Sequence, residues 1–342
     1  MGRFRRLWYV SAIELGKHTF ASLTVFLLLV APSRGAEPVE VKRSGFQIDV
    51  TVGGRLFTTY YFDPVVAKPY LMPLRSSRGT IVTRGYPEGY AVPPEHAKDA
   101  NLEPHQRPLA FGHGNIDGLD FWEEGGFVPK FYGKQTQAYG KMALEAIDEA
   151  QGGPDSGAIK AEFALVGPGD WVLGEETQSF SFRGDENTRT IDCEITLRAT
   201  RGPLVLGDTK EGSFEIRVVK DLNSPPGHMV NSLGAVGEKE IWGKRADWVD
   251  YYGEVAGEMV GIAIFDSPKS FRHPTWWHAR HYGLFAANPF GLREFTRNPD
   301  QDGSWTIPQD RLLTLRYRVL IHHGDYQEAK VAEAYQQYIF GN

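Results

Sequence analysis

The feature that most constrains this chain is a long series of short β-forming runs, most of them bounded by Gly, Pro, Asp or Asn. Phe46–Val52 and Arg55–Tyr61 flank Gly53-Gly54, which is a signal for a two-residue hairpin. The further runs are Thr80–Arg84, Ala158–Leu165, Gln178–Arg183, Thr188–Ala199, Leu204–Leu206, Phe214–Val219, Glu254–Asp266, His278–Ala286 and Leu312–His322. Many strands with few helical stretches between them predict an all-β fold, a large β-sandwich, rather than βαβ units.

One substantial helix is predicted, at the C-terminus. Asp325 is its expected N-cap, and Glu328 completes a capping box. An apolar stripe with the helical period follows, formed by Val331, Tyr335, Tyr338 and Ile339. Two segments rich in Pro, Gly and charge, residues 85–104 and 123–156, are predicted to be long loops, and Met142–Ala150 has room for a helical turn.

The first 35 residues have the pattern of a secretory signal, because a basic segment precedes the apolar run Ala21–Ala31 and small residues follow it. That run has about half the roughly 20 residues that a membrane helix needs. Ser33 and Gly35 fit the −3 and −1 positions of a cleavage site. We therefore expect residues 1–35 to be removed and residues 36–342 to form one periplasmic or extracellular domain with no later membrane span. The alternative is an uncleaved N-terminal anchor.

Composition narrows the classes of partner. The net charge is −6 and no run of Lys and Arg forms a basic stripe, so nucleic acid is not expected as a partner. Cys193 is the only cysteine, which excludes an intrachain disulfide, and its strand-like context favours a buried small apolar residue. Aromatic residues make up 13% of the chain, which suits a carbohydrate-facing cleft and suits an aromatic core equally well. The oligomeric state is left open.

The first candidate site segment runs from Pro104 to Trp122. If residues 105–113 are extended, side chains of equal parity share one face. The odd face then carries two imidazoles and a guanidinium beside two large apolar groups: His105, Arg107, Leu109, Phe111 and His113. The other face carries Pro108, Ala110 and Gly112. We interpret the odd face as the floor of a pocket, with Trp122 at its border.

The second candidate segment, residues 276–291, repeats this pattern. Extended, it places Trp276, His278, Arg280 and Tyr282 on one face. Arg binds anionic oxygens bidentately, His transfers protons near neutral pH, and aromatic faces stack on sugar rings. Two such strands side by side would form one cleft; two amphipathic strands with solvated polar faces are the alternative.

A metal site is a further alternative. His105, His113, Asp117 and Asp120, together with His278, offer nitrogen and oxygen ligands. Their spacing matches no fixed zinc signature, and Asp117 also suits a plain turn. We therefore predict no bound metal and no cofactor.

Several motifs, taken in order, resemble a family of exported bacterial proteins of unknown function labelled "methane oxygenase PmoA". They are Lys68-Pro-Tyr, Thr83-Arg84-x-Tyr-Pro87, Pro104-His-x-Arg107, His113-Gly-x-Ile-Asp-Gly-x-Asp-Phe-Trp122, Gly207-Asp-Thr-Lys-Glu-Gly212, Gly243-Lys-Arg-Ala-x-Trp248, the segment from Trp277 to Gly291, and Tyr317-Arg-Val. The likeness spans roughly residues 65–340. The label is not taken over as an activity, because the membrane subunit of methane monooxygenase has several transmembrane helices.

Where many relatives read Asp-His-Pro-His-His-Arg, this chain has Leu102, Glu103 and Gln106 in place of an Asp and two His. If those His bind metal or move protons in the family, the resemblance implies that the activity or specificity of this chain is altered. A remoter resemblance, to galactose-mutarotase-like β-sandwiches, implies His and Arg on the inward strands of a broad sugar cleft.

From these observations we expect an exported protein that carries out acid/base chemistry on a sugar or sugar derivative, as an epimerase, lyase or hydrolase. His113, His278 and His105 are the candidate proton-transfer residues. The candidate substrate-binding residues are Arg107, Arg280, Tyr282, Asp117, Asn288 and Trp122. The alternatives are a non-catalytic glycan-binding module and a metal-dependent oxygenase.

Overall fold

Two antiparallel eight-stranded sheets form the protein in the computed structural model, which describes residues 35–84, 105–123 and 138–341. The first sheet contains, in spatial order, β1 (Val39–Ser44), β2 (Gln47–Val52), β3 (Arg55–Tyr61), β4 (Tyr70–Met72), β5 (Leu109–His113), β13 (Gly212–Arg217), β18 (Leu284–Asn288) and β17 (Trp276–Ala279). The second contains β14 (His228–Asn231), β15 (Trp248–Val255), β16 (Glu258–Asp266), β20 (Leu312–His323), β11 (Thr188–Arg198), β10 (Val172–Gly184), β9 (Gly157–Val166) and β8 (Lys141–Gln151).

The remaining elements are short. Two small ladders pair β12 (Leu204–Leu206) with β19 (Trp305–Ile307), and β6 (Leu119–Asp120) with β7 (Ala138–Tyr139). The helices are α1 (Glu238–Ile241), α2 (Leu292–Thr296) and α3 (Val331–Phe340). The predicted all-β sandwich with a C-terminal helix is therefore confirmed. In the described part of the chain, no helix is both long and apolar enough to cross a bilayer.

The core lies between the inner faces of the two sheets. Strand β11 shows why, since its buried residues alternate with half-exposed ones along its length. Across the interface, the Phe214 ring of the first sheet stacks on Tyr317 of the second, with ring centroids 4.6 Å apart. Cys193 is buried in this core, and burial raises the pKa of its thiol. It is the small apolar residue that its strand context predicts.

Helix α3 begins later than the sequence indicates. The capping box forms, because the Asp325 carboxylate accepts hydrogen bonds from the backbone N–H groups of Gln327 and Glu328, both at 2.8 Å. That box closes one turn, which ends at Lys330 in the left-handed region with a φ of 53°. The helix proper starts at Val331 and packs on the outer face of the second sheet.

Two predictions of local structure are wrong, and two predicted strand runs are interrupted by turns. The segment 123–156 was expected to be a loop with a helical turn, but β8 runs through it as an edge strand paired with β9. Thr80–Arg84 forms only isolated bridges rather than a strand. The runs Glu254–Asp266 and His278–Ala286 are β-structure as predicted, but each is divided by a turn, because left-handed residues at Ala256-Gly257 and at Gly283 separate β15 from β16 and β17 from β18.

Candidate functional site

A row of side chains crosses the outer face of the first sheet, opposite the core. Five adjacent strands place Tyr70, Ala110, Glu215, Ala286 and His278 in register, each directly opposite the next. The two alanines alternate with the larger residues, so they leave space above the sheet for side chains from loops. We call this set the outer-face row.

Lys68 and Trp122 cover the middle of the row. Lys68 Nζ lies 2.9 Å from Glu215 Oε1, donates a hydrogen bond of 2.7 Å to the Trp122 carbonyl, and lies 4.8 Å from the indole centroid. Trp122 packs on Ala286 and Leu284. The ion pair and the indole are fully buried. A buried ion pair contributes little net stability, but it holds its two members in one geometry.

His105 and Arg107 border the row near Tyr70. The Arg107 guanidinium lies 4.6 Å from the Tyr70 ring centroid. Burial raises the pKa of Glu215, and Lys68 and Arg107 lie close enough to oppose that shift. The His105 ring lies 6.5 Å from that of Trp122. Burial, and then the charges of nearby Lys and Arg residues, hold the pKa of His105 well below its usual value. His105 is therefore neutral at neutral pH.

His278 lies at the other end of the row. Its ring packs between Trp242 and Phe295, with centroid distances of 6.5 and 6.3 Å. Burial lowers the pKa of His278 to about 4, so the imidazole is neutral at neutral pH. The Lys210 backbone lies close enough to the ring to oppose that shift, and Nδ1 is buried without a hydrogen-bond partner among the described residues.

Tyr282 connects the two ends of the site. The guanidinium groups of Arg217 and Arg280 lie 4.6 and 5.4 Å from its ring centroid. Arg217 also donates a short hydrogen bond to the Gln106 side chain, and Arg280 Nε lies 3.2 Å from a Glu238 carboxylate oxygen. His105, Arg107 and Trp122 are thus part of the same site as His278, Arg280 and Tyr282.

Three carboxyl groups, those of Asp120, Glu123 and Glu211, face one another beside Trp122. Burial raises the pKa of Asp120 to about 6, although its carboxylate accepts backbone hydrogen bonds from Trp122 and Glu123 at 2.7 and 2.9 Å. Burial, and then the charges of Asp120 and Glu211, raise the pKa of Glu123 to about 7. Lys210 contacts Glu211, and both groups lie close enough to His278 to affect its pKa.

The predicted pocket floor was assigned to the wrong face of the first segment. Residues 105–113 are not one extended run, since β5 begins at Leu109. Leu109 and Phe111 point into the core, which takes the most apolar side chains, and the small residues Ala110 and Gly112 face the site. A Cβ on Gly112 would lie 2.6 Å from the Phe121 carbonyl oxygen and 3.2 Å from the Lys68 side chain, so the close approach of the Phe121 backbone requires glycine there.

His113 consequently lies on the opposite face of β5 from the row. Its ring is 5.0 Å from that of Phe290, and Nε2 is 2.8 Å from the Gly207 carbonyl oxygen. Burial lowers the pKa of His113 to about 4. The side chain is a hydrogen-bonded core histidine and not part of the outer-face site.

Asp117 and Asn288 fix loops. Asp117 is an exposed turn residue with a φ of 51°, and its carboxylate accepts a 2.8 Å hydrogen bond from the backbone N–H of Val205. Asn288 is fully buried; Nδ2 donates to the Thr209 carbonyl at 2.9 Å, and Oδ1 accepts from Phe290 N–H at 2.8 Å. Asn288 therefore positions the loop that carries Lys210 and Glu211.

Sequence reasoning did not identify Lys68 and Glu215 as the paired centre of the site. A signal was present in β13, where Ser213, Glu215 and Arg217 alternate with apolar residues. Polar residues at every second position of a buried strand indicate a second, non-core face. The sequence analysis assigns Phe214–Val219 only as a strand and gives its polar face no role.

Only part of the possible metal site lies within the residues that the structure describes. Leu102 and Glu103 lie outside the described residues, and Gln106 is bonded to Arg217. Within residues 35–84, 105–123 and 138–341, no three His, Cys, Asp or Glu side chains are grouped closely enough to hold a metal ion.

The chain was compared with solved structures and curated proteins. It is similar to a galactose mutarotase-like protein from Clostridium acetobutylicum, with a TM-score of 0.42 and 9% identity over 84% of this chain and 99% of that one. A galactose mutarotase-like protein from Lactobacillus casei has a TM-score of 0.34 and 8% identity, covering 83% of this chain and all of that one. An α-galactosidase from Lactobacillus brevis has a TM-score of 0.38 and 9% identity, covering 83% of this chain and 39% of that one. A search of curated proteins gives no match.

The comparison with family models gives one match over most of the chain. The model of a family of unknown function, DUF6807, matches residues 47–336. This range includes both sheets from β2 onward and every residue of the outer-face site described above. The chain therefore belongs to the DUF6807 family of unknown function.

Proposed function

We propose that the outer face of the first sheet carries out acid/base chemistry on a sugar or sugar derivative. The observation that carries the proposal is the meeting of carboxyl groups, neutral imidazoles and cations above the outer-face row. Glu123 is half-buried and has a pKa near 7, so it can both hold and release a proton at neutral pH. A carboxyl group kept partly protonated beside other carboxylates is the usual arrangement of a general acid.

The neighbouring groups supply the other functions that such a reaction needs. Neutral His278 and His105 can accept a proton or a hydrogen bond from a hydroxyl group. Lys210 and Arg280 can stabilise negative charge that develops on an oxygen atom. Epimerisation or elimination next to a carbonyl, or hydrolysis of a glycosidic bond, would use this set of groups.

The experiment is a turnover screen by proton NMR, with neutral and uronic-acid oligosaccharides as probes. Glu123→Gln removes the titrating carboxyl group while keeping its shape, and we expect a loss of at least about 100-fold, the scale of a positioned acid or base. His278→Gln should also reduce turnover. Glu194→Gln, on the outer face of the second sheet, is the matched control and should leave turnover unchanged.

The outcomes separate the competing functions. Binding of an oligosaccharide that is weakened by both site variants, without any turnover, would identify a non-catalytic glycan-binding module instead. Turnover that persists in Glu123→Gln and in His278→Gln would contradict the proposed site.

We propose further that this chain does not have the oxygenase activity that the resemblance suggests, and that it carries less than one transition metal ion per molecule. Support comes from the Gln106 side chain, which accepts a hydrogen bond from the Arg217 guanidinium at a position where the resemblance implies a histidine. Elemental analysis of the purified protein tests this. One tightly bound copper, iron or zinc ion per chain would favour a metal-dependent oxygenase.

We also propose that the protein is exported to the periplasm or beyond, with cleavage near Gly35. The described fold is compatible with that position, because Glu37 is already tied to the sandwich: its backbone N–H donates to the Gly184 carbonyl at 2.9 Å, and its carboxylate pairs with Arg189 at 2.8 Å. Mass spectrometry should find an N-terminus at Ala36 or Glu37. An intact Met1 in the membrane fraction would identify an anchor.

A further inference from the structure

A second group of chemically active side chains lies where β20 ends and β16 begins. Ser77 Oγ is 2.6 Å from His323 Nε2, and His323 Nδ1 is 2.5 Å from Glu258 Oε1. Ser77 belongs to a tight turn inside the bridge between Arg75 and Ile81. A hydroxyl, an imidazole and a carboxylate in series are the arrangement that activates a serine nucleophile.

Hydrogen bonds from the same turn orient the carboxylate. Glu258 Oε2 accepts a short hydrogen bond from the Thr80 hydroxyl and a 3.3 Å bond from Ser76 Oγ, which leaves Oε1 facing His323. His323 Nδ1 and Glu258 Oε1 are close, but their relative orientation does not meet the geometry of a regular hydrogen bond. In enzymes with such groups, alignment often tightens only when substrate binds.

His323 is suited to act as a base. Burial lowers its pKa, and the neighbouring charges of Arg78 and His322 act in the same direction, while Glu258 opposes them. His322 is itself paired with the buried Asp250 at 3.2 Å. The His323 imidazole is therefore neutral at neutral pH, and Nε2 can accept the Ser77 proton.

Access to the nucleophile is restricted. Ser77 is 4% exposed, and its hydroxyl also lies 2.7 Å from the Glu186 carbonyl oxygen in the turn between β10 and β11. The hydroxyl has one proton and donates to one of these acceptors at a time. Because so little of Ser77 is exposed, we expect only a small acyl group to reach its hydroxyl.

We propose that Ser77, His323 and Glu258 form a nucleophilic triad that hydrolyses short-chain acyl esters. Ser77 Oγ bonds to the ester carbonyl carbon as its proton passes to His323 Nε2. The bond to the alkoxy oxygen then breaks, and that oxygen leaves as an alcohol with the proton from His323. Water attacks the acyl-serine, gives a proton to His323, and releases the carboxylic acid as Ser77 Oγ recovers that proton.

Two neighbours assist these steps. Glu258 stabilises the imidazolium ion that forms in each half of the reaction. Arg78 is exposed and close enough to influence His323, so it can meet the negative charge on the carbonyl oxygen. This activity uses none of the outer-face residues and does not depend on the function proposed for them.

The test uses the purified protein with p-nitrophenyl acetate as substrate and diisopropyl fluorophosphate as a covalent probe. We expect the probe to add once per chain, on the peptide that contains Ser77. Ser77→Ala should abolish the labelling and lower ester hydrolysis by at least about 100-fold, and His323→Gln should do the same. The rate should fall as the pH falls through the lowered pKa of His323.

Ser181→Ala, a serine on the outer face of the second sheet, is the matched control and should behave as wild type. Ser77→Cys keeps a nucleophile of similar size and should react with iodoacetamide at that position, which keeps the test valid if the alanine variant unfolds. Hydrolysis unchanged in Ser77→Ala, labelling at another residue, or no labelling of the wild-type protein would overturn the proposal.

Discussion

At the scale of single residues, Glu176 shows how a buried polar group links stability to pH. It is fully buried; Gln178 donates a 2.7 Å hydrogen bond to its carboxyl group and accepts one of 2.8 Å from the Tyr60 hydroxyl. Burial raises the pKa of Glu176 to about 8 from an ordinary value of 4.5. The folded protein therefore favours the protonated form over a wide range of pH.

This shift predicts a loss of stability as the pH rises. Between about pH 4.5 and pH 8 the folded state binds a proton at Glu176 that the unfolded chain has released, so the free energy of unfolding falls with rising pH, by at most about 1.4 kcal/mol per pH unit. Glu176→Gln should remove this part of the slope in urea titrations between those pH values. Equal slopes for the two proteins would show that Glu176 is ionised in the core.

The buried ion pair of Lys68 and Glu215 predicts that removing one charge destabilises the protein more than removing both. Lys68→Met leaves a buried carboxylate without its partner, and should lower the free energy of unfolding at pH 7 by about 3–5 kcal/mol. The double variant Lys68→Met/Glu215→Leu removes both charges and should recover most of that loss. Urea denaturation measures both. A double variant as unstable as the single one would mean that the pair itself stabilises the fold.

The residues of the site were only partly predictable. His-x-Arg motifs with neighbouring aromatics led to His105, Arg107, His278, Arg280 and Tyr282, which the structure brings together. The parity argument failed for His113, because parity depends on where a strand begins, and no residue type marks Leu109 as that point. His113 and Asn288 resemble site residues in sequence because packing and loop anchoring use the same polar groups.

At the scale of elements, β8 illustrates how pairing overrides local propensity. Its residues include Met, Ala, Leu and Glu, which favour helix in isolation. The strand lies at the edge of the second sheet and is mostly exposed, so it lacks the apolar alternation that marks the inner strands. Its partner β9 is buried and regular, and therefore was predictable.

Helix α3 is an element whose role can be measured. Tyr335 lies buried against Phe265, with ring centroids 5.5 Å apart, and its hydroxyl donates to the Asp266 carbonyl at 3.3 Å. Tyr335→Ala should lower the free energy of unfolding by about 3–5 kcal/mol, as for other large aromatic residues removed from a core. Gln336→Ala, on the exposed face of the helix, should change it by less than about 0.5 kcal/mol. Similar small effects of both changes would mean that the helix does not stabilise the sheet.

At the scale of the whole molecule, the sandwich was predictable and the site's assembly was not. The strand-like runs and turn residues are local signals, so they predict the fold class. The outer-face row joins residues from Tyr70 to His278 through the neighbours β4, β5, β13, β18 and β17. That order depends on pairing between strands far apart in the chain, which no local pattern encodes.

The central claim is that ligands bind on the outer face of the first sheet, and a crystallographic soak tests it most directly. The probes are one neutral and one acidic sugar, galactotriose and trigalacturonic acid, applied to crystals of the purified protein. We expect sugar density at the outer-face site beside Trp122, within hydrogen-bonding distance of the half-buried Glu123. Density confined to the cleft of about 470 Å³ on the second sheet, lined by residues such as Ser179, Ser181 and Tyr338, would contradict the account.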